Sequence, residues 1–210
     1  STQAKTLFPY TTLFRSLVHG HGLMLEPIAM SAKLVWNFDS SGVKDYDAHG
    51  LFCGGVQNSY TDYNNNPTQF PKCGVCGDSP NGPFDHEPNG KFYDDRIVGT
   101  YFNDDIIQVS TAITASHLGS MYFDIKCLDN QSWSDTEFQI LYQPDGTMNM
   151  TVPSYDSAVY NASYVIPKGF TCNKAIFRWN WLAANNPPSG GHPNEFYRNC
   201  AFITVSNSEC

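Results

Sequence analysis

The stretch Ser120-Met-Tyr-Phe-Asp-Ile-Lys-Cys127 alternates apolar and polar residues, with Met121, Phe123 and Ile125 on one side. A period of two is typical of a β-strand that buries one face. Ile107 and Val109 begin a similar run, and others, separated by Pro, Gly and Asn, lie at 138–142, 147–152, 158–165, 172–181 and 200–205. Short strands at this spacing predict an all-β fold, an antiparallel β-sandwich of the immunoglobulin or fibronectin III kind with long loops and short helices.

The part of the chain before this series, 21–99, has the composition of loops. Asn64-Asn-Asn-Pro67 and the segment 78–90 are rich in residues that favour turns. We therefore expect the loops of this part to lie at one end of the sandwich and its helices to be short. No internal repeat or linker is visible, and 210 residues suit one compact domain. The prediction is a single domain over 21–210.

Residues 1–20 are predicted to lie outside this domain. Leu17-Val18-His19-Gly20 resembles the end of a signal peptide, with small residues before the cleavage site. Upstream, 6–16 resembles the translation of a sequencing-library adaptor, an artefact that replaces most of the leader; an unusual native leader is the alternative. Cleavage after Gly20 would make His21 the first residue, and a start at His19 is the rival.

The charge balance excludes two classes of partner. Twelve basic against 20 acidic residues, a net charge of -8, provide no basic surface for nucleic acid or anionic lipid. No run of about 20 apolar residues is present, which excludes a membrane-spanning helix. A neutral substrate and a monomeric protein are expected.

The seven cysteines are spread along the chain, which predicts disulfides and an oxidising compartment. The protein is therefore expected to be secreted and extracellular. Sequons at Asn130, Asn149 and Asn161 would be glycosylated only on a eukaryotic secretory route. The alternative for Cys53, Cys73 and Cys76 is a zinc site completed by a histidine, because Cys-x-x-Cys is a common zinc-ligand spacing.

Two of the six histidines are candidate metal ligands. As an N-terminal residue, His21 would offer both its α-amine and an imidazole nitrogen. His117 follows the run Ala112-Ile-Thr-Ala115 and precedes Gly119, so it lies at a predicted strand tip. Three nitrogens in a plane suit copper(II), and the α-amine, with a pKa of about 7.7–8.0, loses its proton readily to a metal. The other loop histidines are interpreted as solvated or hydrogen-bonded: His49, His86 and His192.

Five motifs in order resemble the lytic polysaccharide monooxygenases, most closely the insect-type auxiliary activity family fifteen. The related chitin-binding type-4 domains share the same pattern. The resemblance covers nearly all of 21–210, and the motifs are His21-Gly-Leu-Met-Leu-Glu-Pro27, Leu51-Phe-Cys-Gly-Gly55, Lys72-Cys-Gly-Val-Cys-Gly-Asp78, Thr114-Ala-Ser-His-Leu-Gly119 and Phe196-Tyr-Arg-Asn-Cys-Ala201.

The resemblance implies a site and a set of crosslinks. One copper ion would be held by His21 and His117, with Tyr197 axial and Ala115 and Arg178 beside the metal. Counting back three residues from Cys200 selects Tyr197 rather than Phe196 for the axial position. Six cysteines are implied to form disulfides, with Cys127 paired to Cys172, two unassigned pairs among Cys53, Cys73, Cys76 and Cys200, and Cys210 left over.

Two departures from the family pattern concern the crosslinks and the surroundings of the metal. Glu137 and Ala175 stand where the family often has cysteines, which together fit the loss of one disulfide. Arg178 precedes Trp179 where the family usually shows a glutamine, so the resemblance leaves open which side chain lies beside the copper.

By resemblance, the activity is oxidative cleavage of glycosidic bonds in crystalline chitin or cellulose. An external reductant would reduce the copper, and O2 or H2O2 would be the co-substrate for hydrogen abstraction beside the glycosidic bond. The choice of polysaccharide stays open, with chitin slightly preferred. A glycoside hydrolase would instead need two positioned carboxylates. The alternative function is a non-catalytic chitin- or cellulose-binding module, or a copper-binding protein, on the same fold.

Overall fold

The computed structural model describes residues 20–33, 42–186 and 192–207. These form one short helix and nine strands, namely β1 (His21–Glu26), α1 (Val56–Ser59), β2 (Ile97–Phe102), β3 (Ile106–Ala115), β4 (Gly119–Cys127), β5 (Gln139–Ile140), β6 (Met150–Val152), β7 (Ala158–Val165), β8 (Cys172–Leu182) and β9 (Phe196–Ser206). Residues 1–19 of the predicted leader and Cys210 lie outside the described residues. Among the described residues, no helix is long and apolar enough to cross a membrane.

The strands form two sheets, which confirms the predicted β-sandwich. The smaller sheet has the order β1-β3-β7, and the larger has β2-β9-β8-β4-β5 with β6 paired to β4. The large core between the sheets includes Leu23, Ile113, Phe123, Phe177 and Trp179, none more than 1% exposed. Hydrophobic burial of this kind is the main favourable term in folding.

The structure corrects the sequence analysis at two strands. The segment 21–26, predicted as loop, is β1, because its main chain pairs with β3 from His21 opposite Ala115 to Glu26 opposite Ser110. Its register is irregular, and consecutive Leu23 and Met24 are both buried, so the strand has no simple alternation. In addition, β2 runs parallel to β9, in an otherwise antiparallel sandwich.

The larger sheet is buried on both faces. Its inner face, which includes Trp179, Trp181 and Tyr197, packs toward the smaller sheet. On its outer face, Ile176 and Phe202 pack with Val75 from the first third of the chain. The predicted loop region therefore covers a sheet face as a third layer as well as extending to one end.

The outer face also carries a charge network, defined as the buried Asp124, Arg178 and Arg198 together with Asp135, whose side chain is 43% exposed. Arg178 donates to Asp124 from Nε at 2.8 Å and from Nη2 at 2.6 Å, and it also pairs with Asp135. Arg198 donates to the same Asp135 oxygen at 2.7 Å. Both guanidinium groups are almost fully buried, so these carboxylates provide the compensation that a buried cation requires.

The described residues form three disulfides: Cys53–Cys73 within the loop region, Cys76–Cys200 between the loop region and β9, and Cys127–Cys172 between the end of β4 and the start of β8. The second joins the loop layer to β9 across 124 residues of sequence. The zinc interpretation of Cys53, Cys73 and Cys76 is wrong, because a sulfur in a disulfide is not a thiolate ligand.

His86 is the most enclosed charged group of the loop layer. Its Nδ1 lies 2.8 Å from Asp78 and its Nε2 lies 3.0 Å from Asp45, with the side chain 3% exposed. Burial alone would lower the pKa of His86, but the hydrogen bonds and charges of the two carboxylates outweigh it and raise the pKa to about 9.

This raised pKa predicts a loss of stability at alkaline pH. The folded pKa exceeds the unfolded value, so the stabilisation is complete below about pH 6.5 and is lost as pH rises toward 9. The loss should be about 3 kcal/mol between pH 6 and pH 9. Urea unfolding across this range measures it, and His86→Gln should flatten the slope. Equal slopes in both proteins would contradict the assignment.

Candidate metal centre

Strand pairing brings His21 and His117 to the same end of the sandwich. His21 lies opposite Ala115, the last residue of β3, and His117 follows two residues later. The turn between β3 and β4 needs Gly119, with φ at +101°, because a Cβ there would lie 2.0 Å from the Leu182 carbonyl oxygen. This close approach holds the His117 segment against the end of β8.

Main-chain hydrogen bonds fix the same turn. The Ala184 N–H donates to the His117 carbonyl at 2.9 Å, and the Trp181 indole N–H donates to the Leu118 carbonyl at 2.8 Å. His117 is therefore carried by a main chain that is bonded at two successive residues. A ligand on such a support loses little conformational freedom on binding a metal.

Glu195 sets the tautomer of His117. The His117 Nδ1 lies 2.8 Å from Glu195 Oε2, which is a hydrogen-bond acceptor when ionised, and 3.1 Å from the side-chain amide nitrogen of Asn185. The carboxylate is the closer of the two and, as a charged acceptor, the stronger partner. Nδ1 then carries the proton and Nε2 keeps its lone pair, which is the arrangement that metal-binding histidines commonly have. The His117 ring can thus present Nε2 to a metal.

Tyr197 lies in the same cluster and on the inner face of β9. Its hydroxyl donates to Glu195 Oε2 at 2.9 Å, and its ring stacks on Trp181 with centroids 4.6 Å apart. Burial, and next the Glu195 carboxylate, raise the pKa of Tyr197, so the phenol stays protonated. Phe196 points to the outer face, where its ring packs against that of Phe70 with the centroids 5.3 Å apart.

His21 is held by Thr114 and has His49 beside it. The Thr114 hydroxyl donates to the His21 carbonyl at 3.3 Å and lies 3.2 Å from His49 Nδ1. The His49 carbonyl accepts from the Gly22 N–H at 3.0 Å. Burial, and next the nearby His21, lower the pKa of His49. His49 is thus a hydrogen-bonded neighbour of the candidate ligand.

Gly20 occupies the space in front of Tyr197. It is buried, and a Cβ at this position would lie 2.7 Å from the Tyr197 hydroxyl oxygen and 3.1 Å from the Trp181 ring. The Gly20 N–H also hydrogen-bonds to Tyr197. Cleavage after Gly20 would both free this space and turn the His21 nitrogen into an amine. Two imidazoles, the amine that such a cut would release and an adjacent protonated phenol would form a donor set that suits copper.

Of the two residues predicted to lie beside the metal, the structure places Ala115 next to His21 but Arg178 on another face of the sheet. Ala115 lies opposite His21, but Arg178 lies on the outer face of β8, where its charge is taken up by Asp124 and Asp135. Placing Arg178 beside the metal is therefore wrong, because neighbouring residues of a strand point to opposite faces.

Sequence reasoning also missed Glu195. A signal was available, because Glu195 lies two residues before Tyr197, the spacing that puts side chains on one face of an extended segment.

The comparison with protein families identifies the class. The family model described as "Lytic polysaccharide mono-oxygenase, cellulose-degrading" matches residues 21–203. The chain belongs to the lytic polysaccharide monooxygenase family, and it is a copper-dependent oxidoreductase that acts on polysaccharide. A search of curated proteins finds no match.

Solved structures of the same fold include a lytic polysaccharide monooxygenase AA15 from Thermobia domestica in the Cu(I) state. It has 25% sequence identity and a TM-score of 0.72, with 90% of this chain and 100% of that chain covered. A chitin binding domain from Burkholderia pseudomallei has 11% identity and a TM-score of 0.53 over 90% and 100% of the chains. An AA10 enzyme from Streptomyces lividans has 16% identity and a TM-score of 0.52 over 88% and 99%.

Proposed function

We propose that the protein is secreted, begins at His21, and as a monomer uses one copper ion to cleave crystalline chitin or cellulose oxidatively. The observation that carries this proposal is the convergence of His117, Glu195 and Tyr197 at the strand end that holds His21. The three sequon asparagines, Asn130, Asn149 and Asn161, are exposed, as glycosylation on a eukaryotic secretory route would require.

Each residue of the site would have a distinct task. The α-amine and imidazole of His21 would chelate the copper together, and Nε2 of His117 would complete the set of three nitrogens. Glu195 would accept a hydrogen bond from the Nδ1–H group, which places the lone pair of the neutral ring on Nε2. Tyr197 would lie beside the copper as a neutral phenol, with its hydroxyl bonded to Glu195. Bound copper supplies the one-electron chemistry that activates O2 or H2O2 with electrons from an external reductant.

Two exposed tyrosines belong to loops that contact or include neighbours of the proposed ligands. Tyr155 is 64% exposed and follows Ser154, whose carbonyl accepts a hydrogen bond from Ser116 at 2.6 Å. Tyr46 is 83% exposed and lies three residues before His49. Tyrosine rings combine an apolar face with a polar tip, as binding to the faces of sugar rings requires. These positions support a polysaccharide surface as the partner.

The test is mass analysis of products released from chitin and from cellulose, with copper and a reductant. Oxidised oligosaccharides from one or both substrates are expected, and their identity decides between the two. Binding to the polysaccharide without any oxidised product would instead support the non-catalytic binding module. Copper binding without affinity for either polysaccharide would support a copper-binding protein.

Tyr197→Phe is expected to keep copper binding but change the electronic spectrum and the oxidative lifetime of the enzyme. The ring would still fill the axial side, whereas the hydroxyl and its bond to Glu195 would be lost. Spin resonance and the time course of product release measure both effects.

Phe196→Leu is the matched control, because Phe196 packs on the outer face. This substitution should lower the free energy of unfolding by about 1 kcal/mol without changing the copper spectrum. If Phe196→Leu changes the spectrum and Tyr197→Phe does not, the axial residue is Phe196.

A further inference from the structure

A cleft of about 330 Å3 lies between the segment 56–65 and His192–Pro193. Its lining includes Tyr60, Tyr63 and Asn64. We call it the tyrosine cleft. None of the residues assigned above to the candidate metal centre lines it.

The two rings of the tyrosine cleft are held in place. The Tyr60 hydroxyl donates to the Asn194 carbonyl at 3.0 Å, and the Tyr63 hydroxyl donates to the His192 carbonyl at 3.5 Å. The rings meet edge to face, with centroids 5.5 Å apart and planes at 82°. Aromatic walls that are already fixed lose little entropy when a ligand binds.

The lining of the cleft is polar and contains one acidic side chain, Asp62. The Asp62 carboxylate accepts from the Asn65 amide at 2.7 Å, within its own turn. Burial, and next the neighbouring Tyr63, raise the pKa of Tyr60 to about 12, so this phenol is neutral at ordinary pH. The Asn64 amide is exposed and makes no hydrogen bond to the described residues. Apolar rings with a few amide and hydroxyl groups suit a neutral polyhydroxylated ligand.

The cleft is connected to the candidate metal centre by a short piece of chain. His192 lines the cleft, and Glu195, three residues later, accepts the hydrogen bond from His117. Three residues span at most about 10 Å. The Tyr60 hydroxyl is closer still, because it bonds to Asn194, the neighbour of Glu195. A chain molecule that passes over His117 is therefore within reach of the cleft.

We propose that the tyrosine cleft is a carbohydrate subsite that holds one neutral pyranose unit of the polysaccharide, with Tyr63 and Asn64 as its main contacts. This inference rests on the proposed function, because that function supplies the polysaccharide. The subsite anchors the chain to one side of His117, and thereby sets which glycosidic bond lies over the metal centre.

The test compares Tyr63→Ala with wild type in binding of the copper-loaded protein to chitin and to cellulose. We expect about tenfold weaker binding to the substrate that the enzyme cleaves, which corresponds to about 1.4 kcal/mol. Tyr63→Phe should bind as wild type does, because it keeps the ring. Copper affinity should be unchanged in both variants, since Tyr63 is not one of the residues assigned to the metal centre.

Two further variants keep the test decisive. Tyr142→Ala removes an exposed tyrosine ring beside Val165, at the end of β7 opposite the metal centre, and should leave binding unchanged. Asn64→Ala changes an exposed residue without internal hydrogen bonds and should weaken binding even if Tyr63→Ala fails to fold. Equal binding by wild type and Asn64→Ala, together with equal binding by any folded Tyr63→Ala, would overturn the subsite.

The two proposals fail in different ways. If wild type releases oxidised products but the cleft variants bind normally, the subsite is wrong and the proposed function stands. If wild type binds the polysaccharide through Tyr63 and Asn64 but releases no oxidised product, the subsite stands and the proposed function is wrong.

Discussion

His117→Ala is expected to abolish tight copper binding and the release of oxidised products. The variant would leave only the two nitrogens of His21, an incomplete set for copper(II). Losing an outer partner of a metal ligand typically costs about 10–100-fold in affinity, so losing the ligand itself should cost more than about 100-fold. Calorimetry measures the affinity, and spin resonance reports how many nitrogens remain.

Glu195→Ala provides a graded comparison for this result. It keeps the His117 imidazole but removes the acceptor of the Nδ1 proton, so copper affinity should fall by about 10–100-fold. His192→Ala is the control, since this exposed histidine lies in the tyrosine cleft and should not change copper binding. Unchanged affinity in His117→Ala would place the metal elsewhere, with His49 the next candidate because it lies beside His21.

Retention of the leader is expected to remove the copper site as completely as the loss of His117. In the uncut chain the His21 nitrogen is an amide, which is a poor ligand, and Gly20 fills the space in front of Tyr197. A fusion that is cut to begin at His21 should bind copper at least about 100-fold more tightly than the same fusion left uncut. The uncut form should carry His19→Ala, so that the leader offers no imidazole of its own.

N-terminal sequencing of secreted protein decides whether cells make this cut. A start at His21 is the expected result, and a start at His19 or an intact leader would contradict it. Equal copper affinity and equal product release from the cut and uncut fusions would show that the α-amine has no part in the site.

The sequence predicted the bounds of two strands to within one residue. The prediction for 158–165 coincides with β7, and that for 172–181 falls one residue short of β8. The start of β9 was placed at Cys200 instead of Phe196, because both faces of the sheet are buried there and Phe196 to Asn199 show no alternation of apolar and polar residues.

The candidate site was predicted in part, for a physical reason. His21 was selected for the chemistry of an N-terminal histidine, and His117 for its position at a strand tip. Glu195 and Arg178 were misjudged because their roles depend on which face of a strand they occupy and on what covers that face. The cover of the outer face comes from loops, whose paths are set by contacts between residues far apart in sequence.

The charge network on the outer face of the larger sheet stabilises the strand register that places Tyr197 on the inner face. A slip of one residue in β8 or β9 would turn Arg178 or Arg198 toward the face that carries the indole rings, away from Asp124 and Asp135. The cost of an unpaired buried charge excludes that alternative pairing. Arg198, the next residue after Tyr197, thus acts as a register marker. The ion pairs on the outer face thus help to hold Tyr197 in the orientation that points toward the candidate metal centre.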